Sequence, residues 1–322
     1  MIFKKCSLSF QARIRASISW VLQKAYGNNI PSDFTDPFYE TDTGSWLIKP
    51  ILVNALSSSE VYCNACSNIF PETVLQRHGH SAILHILSRK SIYVTDSDDV
   101  AVTETVLQKT APFHVKGHLA LINGLMMAYA AETASVENVV QAVRRVTTFN
   151  ASSELPSTVE DSIVFWINKI CSASQFAVGN QVIQGETRRE PYPVIENLSE
   201  DIGDGCSLAC LITFYCPKYL KFTDICMKEN VGIADSLYNL RLVRTFCEKH
   251  LPSKCFHFTY EDLLYSTNKM RENIIVLLAE LFYWFELNPA SCVQRSGNKD
   301  ADTEGRWCSA VLRFVVAKTP SN

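Results

Sequence analysis

The sequence predicts an all-α protein built from two helical units, and three observations carry that prediction. Apolar residues recur with a period of about 3.6 residues in segment after segment, sustained period-two alternation is absent, and 322 residues at about 150 per domain make two units the natural count. Hydrophobic residues at 47% and charged residues at 20% match ordinary globular proteins, which excludes wholesale disorder.

The first segment has no Asp or Glu before Asp33 but carries Lys4, Lys5, Arg13, Arg15 and Lys24, a charge pattern shared with transit peptides. Ile14, Ile18, Val21, Leu22 and Ala25, with Trp20 among them, instead keep the spacing of a helix packed on a core. Further helices are read from Leu47, Ile51, Leu52, Ala55 and Leu56, then Ile83, Leu84 and Leu87, then Leu119, Ile122, Met126 and Tyr129, then Val136, Val139, Val140 and Val143. A polar joint from Asn150 to Glu154 and Leu155-Pro156 follows. Ser157 with Glu160 three residues on reads as a capping box that opens a helix over 158–174, with Val159, Ile163, Trp166, Ile167 and Ile170 on one face.

From Ala177 to Pro193 the periodicity is lost and Gly, Arg, Glu and Pro gather, so this stretch reads as an exposed loop. Asp204-Gly205 reads as a helix-start device for the apolar run from Cys206 to Cys216, which Pro217 stops. Ile233, Leu237, Leu240, Val243 and Phe246 mark a long helix over 231–250, Thr259 and Asp262 cap a one-turn piece, and 273–287 closes the unit. The expected division is a helical domain over 1–150, a second over 156–290 and a poorly ordered tail over 291–322, whose apolar patch from Trp307 to Val316 has no second apolar element to pair with.

Composition narrows the function classes. Thirty basic against 33 acidic residues give a net charge of −3, with no basic stripe to invite nucleic acid. The apolar stretch from Ile274 to Leu287 is interrupted by Glu280 and falls short of the roughly 20 residues that cross a bilayer, so no membrane insertion is expected. Twelve cysteines in so long a chain read as free thiols buried in a protein of the reducing cytoplasm.

No Gly-rich phosphate loop, nucleophile elbow or His-Glu-x-x-His pattern occurs, so neither an enzyme nor a cofactor is expected. Cys63-x-x-Cys66 followed by His78, His80 and His85 is the metal-like constellation. Its spacing departs from that of paired zinc ligands, and two ordinary thiols on a helix face are the preferred reading over a small zinc site. Asp96, Asp98 and Asp99 lack the glycine and terminal Glu of a calcium loop and read as a solvated turn, and Arg188-Arg189 as part of a charged loop.

Ser162-Ile-Val-Phe-Trp-Ile-Asn-Lys169, Asp204-Gly-Cys-Ser-Leu-Ala-Cys-Leu-Ile212 and Ala234-Asp-Ser-Leu-Tyr-Asn-Leu240 together resemble a calponin-homology (CH) domain. More narrowly they are similar to the version near the N-terminus of the calmodulin-regulated spectrin-associated proteins, the CAMSAP/Patronin family. Asp224–Glu229, His257–Tyr265 and Ala279–Glu286 continue the likeness in order. In the first half it extends through Ala25-Tyr-Gly27, Asp36-Pro-Phe-Tyr39, Leu125–Tyr129 and Thr148–Ser152.

The resemblance implies that Trp166, Asp204, Gly205, Leu208, Leu211, Leu237, Leu240, Leu281 and Trp284 form the CH signature and core. A shift of 156 residues lays Leu84, Leu87, Ile122 and Leu125 on Leu240, Val243, Leu278 and Leu281, so the first half is expected to be a divergent CH-like unit.

The resemblance also implies a cytoplasmic, cytoskeletal scaffold, part of a protein that binds and stabilises microtubule minus ends, with spectrin and calmodulin as partners. That family's minus-end contact lies in a C-terminal domain, called CKK, which is absent from these 322 residues, and the chain reads as the front of a longer protein. An actin-binding tandem CH protein is the alternative. Residues 156–290 hold 12 basic and 17 acidic side chains, so this unit gains no long-range attraction to acidic actin filaments, and actin binding is disfavoured.

Overall fold

The computed structural model describes residues 2–42, 46–72, 79–179, 192–228 and 230–294, without the side chains of 2–9, 152 and 175–179. The predicted loop beyond Gly179, the Arg188-Arg189 pair within it, His78, and the tail from 295 onward lie outside the described residues.

In chain order the elements are α1 (Ile2–Tyr26), β1 (Phe38–Glu40), β2 (Trp46–Ile48), α2 (Pro50–Ser57), α3 (Glu60–Ile69), α4 (His80–Arg89), α5 (Glu104–Leu107), α6 (Val115–Thr133), α7 (Val136–Arg144) and α8 (Ala151–Glu154). They continue with α9 (Val159–Gly179), α10 (Leu198–Asp201), α11 (Cys206–Tyr215), α12 (Ile233–His250), α13 (Tyr260–Leu264) and α14 (Arg271–Phe282), which runs into a π-turn at Tyr283–Leu287. The chain divides into two compact units. One comprises Met1–Glu132, Ser253–Phe258 and Lys269–Leu277, the other Thr133–Pro252, Thr259–Asn268 and the residues from Leu278 on.

In the first unit α1 is the central helix. Ile14, Ile18, Trp20, Val21 and Leu22 are buried, and so are Ser17 and Gln23, which lie among them on the helix. α3 packs along it. Trp20 lies against Tyr129 of α6 at 5.9 Å between ring centroids, with the Lys24 ammonium 4.0 Å from the same tyrosine ring. Lys24 thus buries its stem and spends its charge on an aromatic face, which is how a basic residue is kept on a core helix. The buried Ser17 accepts a hydrogen bond from Asn273 at 3.0 Å.

One sequence expectation changes here. Leu47 was expected to begin a helix with Ile51, and it lies instead in the antiparallel β1–β2 pair, opposite Tyr39. Pro50 is the cause. It occupies the first turn of α2, where its missing N–H costs nothing, and it holds Lys49 before it in extended backbone (φ −56°, ψ 135°), so the helix cannot extend back to Leu47.

In the second unit α11 is the innermost helix, with Leu208, Ala209, Cys210, Leu211 and Ile212 all buried between α9 and α12. α7 packs on α9. The expected capping box slides by one residue. Thr158 Oγ1 accepts from the Asp161 N–H and an Asp161 carboxylate oxygen accepts from the Thr158 N–H, both at 3.1 Å, while Ser157 adds its hydroxyl to that carboxylate. Thr259 and Asp262 form the reciprocal box that opens α13. α9 runs on through Gly179, beyond the 158–174 expected from its pattern.

The stretch Val115–Arg144 is long and apolar enough by composition to cross a membrane, with a mean hydropathy of 1.3 over its best window. It is broken into α6 and α7 at Ala134-Ser135, where the Ser135 hydroxyl caps α7 by accepting from the Asn138 N–H, and 61% of that window is buried inside the fold. Those are the properties of core helices.

Candidate functional site

The signature region of the second unit is assembled around Asp204-Gly205. Asp204 Oδ1 accepts from the Cys206 N–H at 2.8 Å, satisfying one of the free donors at the start of α11. Gly205 takes φ +72°, and a Cβ there would lie 3.0 Å from the Leu240 nitrogen, so both the backbone conformation and the approach of α12 require glycine. Burial, with a smaller push from the neighbouring Asp201 carboxylate, holds the Asp204 carboxyl above its ordinary range, and its described role is the capping bond to the Cys206 N–H.

Asn239 of α12 is the residue that sequence reasoning missed. It is fully buried. Its Oδ1 accepts from the Cys226 N–H at 2.9 Å, and its amide donates to the carbonyls of Cys226 at 3.0 Å and Asp204 at 3.2 Å. One side chain therefore ties the α11 entry, the 222–228 segment and α12 together. The signal was available, because Asn239 lies next to Leu240 and three residues after Ser236 on the buried stripe of α12.

A second polar chain crosses the same unit. The Trp166 indole donates to the Tyr215 hydroxyl at 2.9 Å, that hydroxyl donates to Glu286, and Glu286 pairs with Arg145 at 2.5 Å. Tyr215 stacks on Phe285, and burial, then Glu286, raises its phenol well above the usual range. The π-turn at Tyr283–Leu287 carries both Phe285 and Glu286.

Of the remaining signature residues, Trp166, Leu208, Leu211, Leu240 and Leu281 are fully buried. Leu237 and Trp284 are half-buried, and the Trp284 indole nitrogen has no hydrogen-bond partner among the described residues. All of them are packing and hydrogen-bonding groups of a helical core.

The metal-like constellation lies in the first unit. Cys63 and Cys66 are buried on α3, His80 is buried at the start of α4, and His85 is exposed farther along α4. His80 Nε2 bonds to the Leu56 carbonyl at 3.0 Å. Tyr62 lies against His80 and stacks on His118, whose Nδ1 is 2.9 Å from its hydroxyl. Burial pushes the Cys66 thiol up to about 11 and holds His118 down to about 3, with neighbouring His80 adding to the latter. Among the described residues no group of three or more His, Cys, Asp or Glu is placed to hold a metal ion.

Asp96 forms a turn in which its carboxylate accepts from the Asp98 and Val100 N–H groups, and Asp98 pairs outward with Lys116. Ten cysteines have described side chains, none of them in a disulfide and nine of them buried.

Hollows are small. A void of about 10 Å³ lies among Ile14, Ile18, Leu56, His118 and Ile122, and an open cleft of about 180 Å³ lies beside Arg144 and Phe149. Both are below the roughly 300–1,000 Å³ of small-molecule sites. The exposed large apolar groups include Tyr39, Trp46, Leu47 and Ile51 on and after the β1–β2 pair, with Asp33, Asp36, Glu40 and Asp42 exposed nearby in sequence.

With this geometry the comparisons agree. A family model described as "CAMSAP2-like, calponin-homology domain" matches residues 7–132, and one described as "CAMSAP CH domain" matches 185–267. The chain belongs to the calmodulin-regulated spectrin-associated protein family, as its N-terminal region.

Calmodulin-regulated spectrin-associated protein 1 of Mus musculus is 42% identical over 298 residues, a match that takes in 86% of this chain and 19% of that protein. The Homo sapiens protein of that name is also 42% identical over 298 residues, covering 86% of this chain and 18% of its own length. Calmodulin-regulated spectrin-associated protein 2 of Homo sapiens is 37% identical over 318 residues, with 88% of this chain and 21% of that protein covered. The chain thus spans about a fifth of the length of these curated relatives. The family comprises non-enzymatic cytoskeletal proteins, and the chain carries two CH-type domains.

Proposed function

We propose that this chain is a non-enzymatic scaffolding module, the N-terminal part of a cytoplasmic protein that binds and stabilises microtubule minus ends, and that it works through protein contacts made by helix surfaces. The observation that carries this reading is the pair of CH-type domains of one cytoskeletal family in a single chain. The names of the relatives attach calmodulin and spectrin to those proteins, and both are proposed as partners of the longer protein rather than of these residues alone. The described hollows are small, and the Trp166 indole and the Asp204 carboxylate are taken up by internal hydrogen bonds, which supports contact rather than chemistry.

The tandem arrangement also favours a second reading, an actin-binding protein. The excess of acidic groups in the second unit argues against it, because docking onto an acidic filament would begin against like charge. Co-sedimentation at physiological salt separates the two. The scaffold reading expects residues 1–322 to stay in the supernatant with either actin filaments or microtubules, whereas saturable pelleting with actin favours the second.

A further inference from the structure

We propose that Thr147 is a phosphorylation site, read by a kinase that selects paired arginines two and three residues before its acceptor, and that the cleft beside it receives the phosphate. The run Arg144-Arg145-Val146-Thr147 supplies the basic pair at that spacing. α7 ends at Arg144, and residues 147–150 are irregular chain, so a kinase can take the segment in extended form by unwinding the last turn of α7 and releasing Arg145 from Glu286 and Phe149 from Phe165. Arg144, Arg145 and Thr148 are exposed and Thr147 is half-buried. The Thr147 hydroxyl makes only a long bond, 3.4 Å to the Thr148 carbonyl, so little is lost on releasing it.

The cleft is the second observation. It is lined by Arg144, Thr147, Thr148, Phe149 and Ala151 and measures about 180 Å³, several times the roughly 30 Å³ that a water molecule occupies in the liquid. Arg145 is already held by Glu286 at 2.5 Å, whereas the Arg144 guanidinium lies 5.9 Å from the Phe149 ring centroid and is placed to meet an anion in the cleft. An anion at the C-terminal end of α7 would otherwise be repelled by the helix dipole, and the Arg144 guanidinium offsets that repulsion. Two other hydroxyls behind arginine are worse placed. Ser17, two residues after Arg15, is fully buried, and Thr245, next to Arg244, lies in the middle of α12.

In the reaction the Thr147 Oγ1 attacks the γ-phosphorus of ATP. The new O–P bond replaces the bond to the oxygen bridging the β- and γ-phosphates, ADP leaves, and the hydroxyl proton is released. The resulting dianion would pair with Arg144 through charge-assisted hydrogen bonds.

The test treats the whole chain with ATP, magnesium and the catalytic subunit of a cyclic-AMP-dependent kinase, which has this preference. Fragment mass spectrometry is expected to place one phosphate per chain on Thr147, lost in Thr147→Ala and retained in Thr147→Ser, which keeps the hydroxyl and the fold. The phosphorus NMR signal of the product should titrate below the value of about 6 of an unpaired phosphothreonine. No incorporation, or a phosphate on Thr148 or Ser91 that survives Thr147→Ala, overturns the site, and titration at or above about 6 overturns its seating against Arg144.

Discussion

The two units bury polar groups on opposite terms. In the second, Asn239 and the chain from Trp166 through Tyr215 and Glu286 to Arg145 satisfy one another. In the first, Tyr62, His80 and His118 form a cluster that leaves His80 Nδ1 without a hydrogen-bond partner among the described residues. The difference teaches that similar helical frames tolerate two kinds of polar core. One ties distant segments together through a connected hydrogen-bond network, and the other holds neutral rings in an apolar setting and is exposed to protonation.

The largest effect that would sharpen this contrast is acid destabilisation confined to the first unit. The folded pKa of His118 lies at about 3, well below the usual 6.5, and His80 is also lowered, chiefly by burial. A histidine depressed by folding contributes its full stability above the unfolded pKa and loses it as pH falls toward the folded one. The expected loss is about 1.4 kcal/mol per pH unit per histidine below about pH 6.5. The Asp204 carboxyl of the second unit is raised, so its contribution runs the other way and grows as pH falls. Hydrogen exchange followed by segment between pH 7 and 5 should show α3, α4 and α6 losing protection before α9 and α11. Equal loss in both units would break the comparison, and His118→Gln should flatten the slope.

Next in size is Asn239→Ala, which strands the half-buried Cys226 N–H and two carbonyls and is expected to cost about 3 kcal/mol, read as a lower midpoint in urea. An effect under about 1 kcal/mol would mean that water replaces the amide and that the second unit is not held by this group. Gly205→Ala comes third, at about 2 kcal/mol from the positive φ and the 3.0 Å approach to α12. Its thermal midpoint should fall below that of Gly203→Ala only if the left-handed backbone matters more than a close approach, since a Cβ at Gly203 would meet the Leu263 carbonyl oxygen at 2.7 Å without positive φ. Smallest is Thr259→Ala, which removes the α13 cap and should cost about 1 kcal/mol, visible as faster amide exchange in 260–264.

Much of the helical layout was legible because burial on one face writes itself as a 3.6-residue period. Ile14 to Ala25, Leu119 to Tyr129, Cys206 to Tyr215 and Ile233 to Phe246 all lie on helices as their spacing requires. Leu47 was misplaced because five apolar residues at helical spacing say nothing about where a proline forbids the first turn. The capping box at Ser157 was displaced by one residue because Ser-x-x-Glu and Thr-x-x-Asp overlap in the same five positions, and only backbone geometry chooses between them.

The resemblance to the family singles out Trp166, Asp204 and Gly205 as residue types, yet it does not name the groups that meet them. Asn239, Tyr215, Glu286 and Arg145 act through partners 13 to 141 positions away in sequence, and no local pattern encodes such a pairing. His118 was likewise invisible as a partner of Tyr62, 56 residues earlier.

By itself the sequence determined the helical class and the family, because periodicity and ordered motifs are properties of the chain read in order. The tertiary structure alone decided which buried polar groups meet, why Gly205 must be glycine against α12, and that Thr147 opens on a cleft beside Arg144. Those depend on distances between residues that the chain keeps apart, and hydrogen bonding and steric approach act over a few ångströms of space whatever the separation along the backbone.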